Sequence, residues 1–275
     1  MKNILIIQDI SSFGKCSTTV ALPIISACGS TGSILPTSIL STHTGPSFSD
    51  YTFLDLFDNM KATLAHWVSM GIKFDGIYTG YLGKESHIDL LLEYIPEILK
   101  DEGTIFVDPV FADDGEYYPG FDESYAEAQR RLISIADFVL PNYSETCLIL
   151  GYDYTKLDHS DEELGSLLSK LQTLGAKNVI ITGVREGNRI GAAIRMEDGN
   201  MVKSVSEYID RDSHGTGDVF ASVFVGEYMR NNDIQEAIDS AVRFVPEAIK
   251  ETIADENPID YGVHFEKALH LLIRQ

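Results

Sequence analysis

Short apolar, β-branched runs alternate with longer helix-patterned stretches from one end of this chain to the other, and few folds accommodate that alternation. Residues 3–8, 33–35, 76–78, 104–107, 138–140 and 178–181 read as strands. Helical periodicity covers 52–70, 87–100, 125–135 and 161–174. A strand that returns to the same sheet through a helix lies parallel to its predecessor, and such a sheet needs helices on both faces. Two further extended pieces, 191–196 and 201–205, flank Glu197-Asp198-Gly199-Asn200, which predicts an antiparallel hairpin at a sheet edge. The remainder of the chain, beyond that hairpin, reads as helix. The expected fold class is α/β, a mostly parallel central sheet between helical layers. No repeat and no Pro/Gly/Ser-rich linker divides the 275 residues, so a single domain over 1–275 is expected.

In open α/β sheets, ligands bind outside the carboxyl ends of the strands. Read in order, those ends carry Asp9, Thr37, Thr79-Gly80, Asp108-Pro109, Pro141-Asn142 and Thr182-Gly183. Nearly every strand delivers a polar residue or a glycine to the same edge, so one site along that edge is expected. After the hairpin comes Ser213-His214-Gly215-Thr216-Gly217-Asp218-Val219-Phe220, a tight turn running straight into an amphipathic helix. The first turn of such a helix presents free backbone N–H groups with the positive end of the helix dipole behind them. Glycines let that backbone approach a ligand closely, which suits a phosphoryl group. Asp218 then stands where a base could take a proton from an attacking hydroxyl. Alone, the stretch fits equally well a plain helix start whose acid favours the dipole.

Two more segments carry carboxylates at strand ends. Asp108 precedes Pro109, and Glu145 lies three residues after Asn142. Magnesium takes oxygen ligands, keeps several waters and is shared between carboxylates and phosphates, so Asp108 and Glu145 are candidate magnesium anchors. Each has a structural reading beside it: a strand-end turn for Asp108, a first-turn dipole partner for Glu145.

The charge balance narrows the partners. Lys and Arg number 21 against 42 Asp and Glu, a formal net charge of −21, which argues against nucleic acid and anionic membrane surfaces. An anionic substrate must then be held locally, by amides, a metal ion and a few placed cations. Cys16, Cys28 and Cys147 lack metal-ligand spacing and read as reduced thiols. The apolar run at 3–7 is short for a signal peptide and no run approaches a membrane span, so a cytoplasmic location is expected.

In order and approximate spacing, these pieces resemble the ribokinase-like small-molecule kinases, and among them the pyridoxal/pyridoxamine (vitamin B6) kinases. Ile7-Gln8-Asp9-Ile10-Ser11-Ser12-Phe13-Gly14, Ser41-Thr42-His43-Thr44-Gly45 and Thr79-Gly80-Tyr81-Leu82-Gly83 carry the likeness, with the Asp108, Asn142–Glu145 and Gly215–Asp218 segments. The resemblance implies a three-layer α/β/α sandwich and ATP-dependent phosphorylation of the 5'-hydroxymethyl group of a B6 vitamer. It implies Asp218 as the catalytic base, with Gly215, Thr216 and Gly217 as the anion hole. Thr44 and Tyr81 match positions lining the pyridine pocket, and Tyr117 matches an aromatic near the site. Asp108, Asn142, Glu145 and Thr182 match the ATP and Mg²⁺ positions, and relatives are commonly homodimers. Whether a monovalent cation is needed stays open.

Three departures qualify the substrate. Asp9 stands where the family usually has serine, and a carboxylate there suits a polar or cationic edge of a pyridine. Lys15, in Gly14-Lys15-Cys16, replaces a small residue and reads as a surface lysine rather than a phosphate contact. His214 precedes the turn as in hydroxymethylpyrimidine kinases of thiamine synthesis, which keeps that activity as the rival. A nucleotide-binding module without turnover is a second rival, which the intact Asp218 opposes. A dinucleotide oxidoreductase would want Gly-x-Gly-x-x-Gly after the first strand, and Gly14 alone does not supply it.

Overall fold

The structure, a computed structural model, describes residues 1–44, 48–154, 160–211 and 213–274. In chain order the elements are β1 (Asn3–Ser11), α1 (Thr18–Ala27), β2 (Thr31–Leu40), β3 (Phe53–Asp55), α2 (Phe57–Ser69), β4 (Phe74–Thr79), α3 (Glu85–Ile98) and β5 (Leu99–Val107). There follow β6 (Ala112–Asp113), β7 (Glu116–Tyr117), α4 (Glu123–Ile133), β8 (Phe138–Val139), α5 (Tyr143–Leu150) and α6 (Asp161–Gln172). The chain then forms β9 (Asn178–Glu186), β10 (Arg189–Arg195), β11 (Met201–Glu207), α7 (Thr216–Asn231), α8 (Ile234–Ile253) and α9 (Phe265–Ala268).

Nine strands form one sheet in the order β11-β10-β9-β8-β5-β4-β1-β2-β3, and β6 pairs with β7 apart from it. The six strands from β9 to β2 run parallel, while the β9–β10, β10–β11 and β2–β3 pairings at the two margins are antiparallel. Side chains alternate between faces along a strand, and β1 shows what that does to a continuous apolar run. Leu5 and Ile7 pack with Met60, Leu91 and Leu132 of α2, α3 and α4. Ile4 and Ile6 pack on the other face with Val20, Phe224 and Ala241 of α1, α7 and α8. Both faces are thus covered, giving the helix–sheet–helix sandwich that the alternation predicts.

Boundaries differ from the sequence reading in physically readable ways. The helical pattern at 52–70 splits: Leu40 pairs with Phe53 and Ser38 with Asp55, so three residues add an edge strand before α2 begins. Asp55 then takes the Phe57 N–H at 2.8 Å and starts the helix. One helix, α1, carries no expectation at all, and α5 shows in the sequence only as a first turn at Asn142–Glu145. The run Val20-Ala21-Leu22-Pro23-Ile24-Ile25 shows little polar face because α1 is wedged against β1, β2 and α7. Among the described residues, no helix is long and apolar enough to cross a membrane. The three cysteines are unbridged.

Candidate active site

The carboxyl ends of the central strands meet the start of α7 at one edge of the sheet. Gly215 sits just ahead of that helix with φ 74°, and a Cβ there would lie 2.2 Å from the Lys15 carbonyl oxygen. Glycine is therefore required twice, for its dihedral and for its contact. Val219 is the first residue to donate back, to the Gly215 carbonyl at 3.0 Å, which leaves the preceding amides without intrahelical acceptors. Gly217 is exposed and opens onto free space.

Asp218 lies in this first turn, half-buried, and its Oδ2 accepts the Ser17 N–H at 3.0 Å. Ser17 itself has φ 50°, an uncommon conformation for a residue with a side chain, held between β1 and α1. Burial pushes the Asp218 pKa up to about 7; the Ser17 amide opposes the shift and the Asp9 charge adds to it. A carboxyl tuned to that range fits a general base at neutral pH.

Glu145 is fixed from two sides. Its backbone N–H donates to Asn142 Oδ1 at 2.8 Å, and its Oε2 accepts the Asn142 N–H at 2.9 Å, a reciprocal cap on α5. Oε1 accepts the Phe111 N–H at 2.9 Å, while Asn142 Nδ2 donates to the Ala112 carbonyl at 2.8 Å. The α5 cap and the turn after β5 are thereby locked together. Burial still holds the Glu145 pKa up to about 7 against those amides. Asp108, 8% exposed, is raised well above the carboxylate range by burial, then by the charges of Glu145 and Asp218. Among the described residues no hydrogen-bond donor reaches its carboxylate, so its charge has no protein partner.

A cavity of about 410 Å³ joins these groups. Its polar lining includes Asp108, Asn142, Glu145, Thr182 and the turn 215–218. Its apolar lining includes Phe220, Val242, Val245, Pro246 and Ile249. The set would fit magnesium: hard carboxylate oxygens, those of Asp108 unpartnered and repelled by neighbouring acids, beside a turn whose amides lack intrahelical acceptors. Among the described residues no three His, Cys, Asp or Glu side chains close on one point.

The four substrate-side candidates, Asp9, Thr44, Tyr81 and Tyr117, lie outside this lining. Asp9 is buried and accepts the Ser11 hydroxyl at 3.0 Å; burial raises its pKa. Its charge reaches Asp218 and Tyr81. Tyr81 leans on Phe121 with ring centroids 5.5 Å apart, and burial with the Asp9 charge pushes its pKa up to about 12. Thr44 is exposed, and Gly45 of the same motif lies outside the described residues. Tyr117 stacks on Phe111 at 5.9 Å, whereas its neighbour Tyr118 lines the cavity. Successive residues of an extended segment point oppositely, so the packing of Tyr117 sends Tyr118 inward. Lys15 is neither free nor at the cavity: Nζ pairs with Glu266 at 2.6 Å and lies 5.5 Å from the Phe265 ring.

Sequence reasoning missed Tyr118, Ser17 and Arg211. Strand parity around Tyr117 could have found Tyr118. Nothing local marks Ser17, because its role is a backbone contact across the fold. Arg211 lies between two aspartates and reads as solvated.

The sequence profile of the phosphomethylpyrimidine kinase family matches residues 25–260. The chain is similar to pyridoxine kinase of Bacillus subtilis, 29% identical over 197 residues that span 71% of this chain and 70% of the relative. Pyridoxal kinase from Lactobacillus plantarum superposes with a TM-score of 0.91 at 31% identity, covering 99% of this chain and 96% of that one. A Bacteroides thetaiotaomicron protein, provisionally described as a phosphomethylpyrimidine kinase and crystallised with pyridoxal, gives a TM-score of 0.92 at 35% identity. That match covers 98% of this chain and 95% of the neighbour.

Proposed function

Because the chain belongs to the phosphomethylpyrimidine kinase family, within the ribokinase-like fold it shares with pyridoxal kinases, we propose that it uses ATP to phosphorylate the 5'-hydroxymethyl group of pyridoxal, pyridoxamine or pyridoxine. The observation that carries this reading is the meeting of Asp218 with the Gly215–Gly217 turn at the wall of a cavity with a polar and an apolar lining. The apolar residues of α7 and α8 suit a planar base, and the turn suits a phosphate. Asp9, Tyr81 and Thr44 then flank the acceptor alcohol, with Asp218 between the two substrates.

Phosphoryl transfer asks little covalent chemistry of a protein; positioning and charge stabilisation supply most of the rate. Asp218, ionised, accepts the proton of the hydroxymethyl group as its oxygen bonds to the γ-phosphorus and the bridge to ADP breaks. The proton leaves from Asp218 to solvent once product departs. The amides of residues 215–217 face the charge on the transferring group. Asp108 and Glu145 would hold Mg²⁺, Glu145 through water, and the ion would neutralise the phosphate oxygens. Asn142 shapes the donor side through the α5 cap, and Thr182, joined to Asn142 by a parallel β-bridge, completes it. A cytoplasmic homodimer is part of the same reading.

Phosphorylation of hydroxymethylpyrimidine is the second reading. His214 favours it, lining the cavity with its ring 5.7 Å from that of His43. ADP release measured with the three vitamers and with hydroxymethylpyrimidine separates the two: the vitamers should give the higher kcat/KM. A preference for the pyrimidine would overturn the B6 assignment.

A further inference from the structure

The titratable lining of the cavity is mostly acidic. Asp108, Asp113, Glu145, Glu207 and Asp218 all line it, in a chain whose acids outnumber its bases two to one. A nucleoside triphosphate brings several more negative charges. Among the described lining residues one side chain carries a permanent positive charge, Arg211.

Arg211 lies four residues before Gly215, on the connection from β11 to α7, and is half-buried. Its Nη2 donates to the Ile259 carbonyl at 2.6 Å, which anchors one corner of the guanidinium to the loop after α8. No other hydrogen bond and no ion pair engages that side chain among the described residues. Four of its five N–H donors are therefore uncommitted. Several other cations of this chain are instead paired with acids. Lys15 is paired with Glu266, Lys203 with Asp161 and Glu186, and Arg230 with Glu227. An arginine kept out of ion-pair range of every described acid, yet lining an acidic cavity, is available to an incoming anion. A guanidinium fork matches phosphate oxygens in pairs, and anchoring on Ile259 lowers the ordering cost of using it.

We propose that Arg211 clamps the phosphate chain of the nucleotide donor in the cavity it lines together with the Gly215–Gly217 turn. The inference rests on the proposed use of ATP and adds to it the residue that gives the donor site affinity for a triphosphate over an uncharged nucleoside. Charge-assisted hydrogen bonds of this kind correspond to about a 10- to 100-fold change in affinity.

Calorimetric titration of the full chain with Mg²⁺ and a non-hydrolysable ATP analogue, and separately with adenosine, tests it in parent, Arg211→Gln and Arg211→Lys. Arg211→Gln should weaken the triphosphate about tenfold or more, leave adenosine within about twofold, and raise the KM for ATP without raising that for the vitamer. Arg211→Lys, which keeps the charge and loses the fork, should fall between. Unchanged triphosphate affinity overturns the clamp. An equal loss for adenosine also overturns it, since Arg211 would then only shape the pocket through Ile259. Failure of the B6 reading shows elsewhere, as absent vitamer turnover by the parent with its nucleotide affinity intact.

Discussion

Replacing Asp218 by Asn should make the protein more stable and nearly inactive, and the stability gain should depend on pH. The amide keeps the shape of the side chain and leaves an oxygen for the Ser17 N–H, so what it removes is the charge. With a pKa of about 7 in the folded protein against 3.8 in the unfolded chain, native Asp218 binds more protons than unfolded Asp218 between those values. The parent therefore loses stability as pH rises through that window and levels off above it. Integrating the linkage for this one group gives a penalty of about 2 kcal/mol near pH 5.5 and about 4 kcal/mol near pH 8.5. The substituted amide does not titrate, so the Asp218→Asn variant should exceed the parent by those amounts, a difference that widens by about 2 kcal/mol across the range. Urea unfolding of both proteins at the two pH values reads this directly. Turnover should fall by about a hundredfold or more, because the hydroxyl proton loses its acceptor. Identical pH dependence in the two proteins would refute the idea that burial holds this carboxyl near neutrality.

Other substitutions separate the roles along the same edge. Gly215→Ala should cost about 2 kcal/mol or more and abolish turnover, since alanine resists positive φ and its methyl meets the Lys15 carbonyl; urea midpoints and activity check both. Gly217→Ala has open space around it, so it should fold at least as well as the parent yet lose about tenfold or more in kcat as the methyl crowds the phosphate. In the parent, kcat/KM should rise about tenfold per pH unit below neutrality and flatten above about 7 as Asp218 ionises. Lys15→Met should change nucleotide affinity less than about twofold and stability by about 1 kcal/mol, the scale of a partly exposed ion pair, as judged by calorimetry and urea unfolding.

Much of this site was legible because its parts are local. The Gly215–Asp218 turn, Asp108 before its proline and the Asn142–Glu145 spacing each announce their backbone geometry within four residues, and the sheet brings them to one edge. The Asn142–Glu145 pair shows the limit of such reading. Its two readings are a metal anchor and a first-turn dipole partner, and the structure shows Glu145 capping α5 with one oxygen while the other takes the Phe111 N–H. The hairpin of β10 and β11 was visible in its Asp-Gly turn. Helix α1 was not, because burial on several sides erases the polar stripe that periodicity needs. Strand β3 hid inside a helical pattern, since three residues carry too little signal against a long helix beside them. Ser17 and Arg211 act through contacts with Asp218 and Ile259, more than 40 residues away in each case. No window of sequence contains both partners.

The most direct test is a crystal structure with a non-hydrolysable ATP analogue and pyridoxal bound together. The γ-phosphate should lie within hydrogen-bond reach of the residue 215–217 amides, with the hydroxymethyl oxygen against the Asp218 carboxylate. A γ-phosphate directed away from that turn, or a pyridoxal alcohol beyond the reach of Asp218, would contradict the assignment of this edge as the place of transfer.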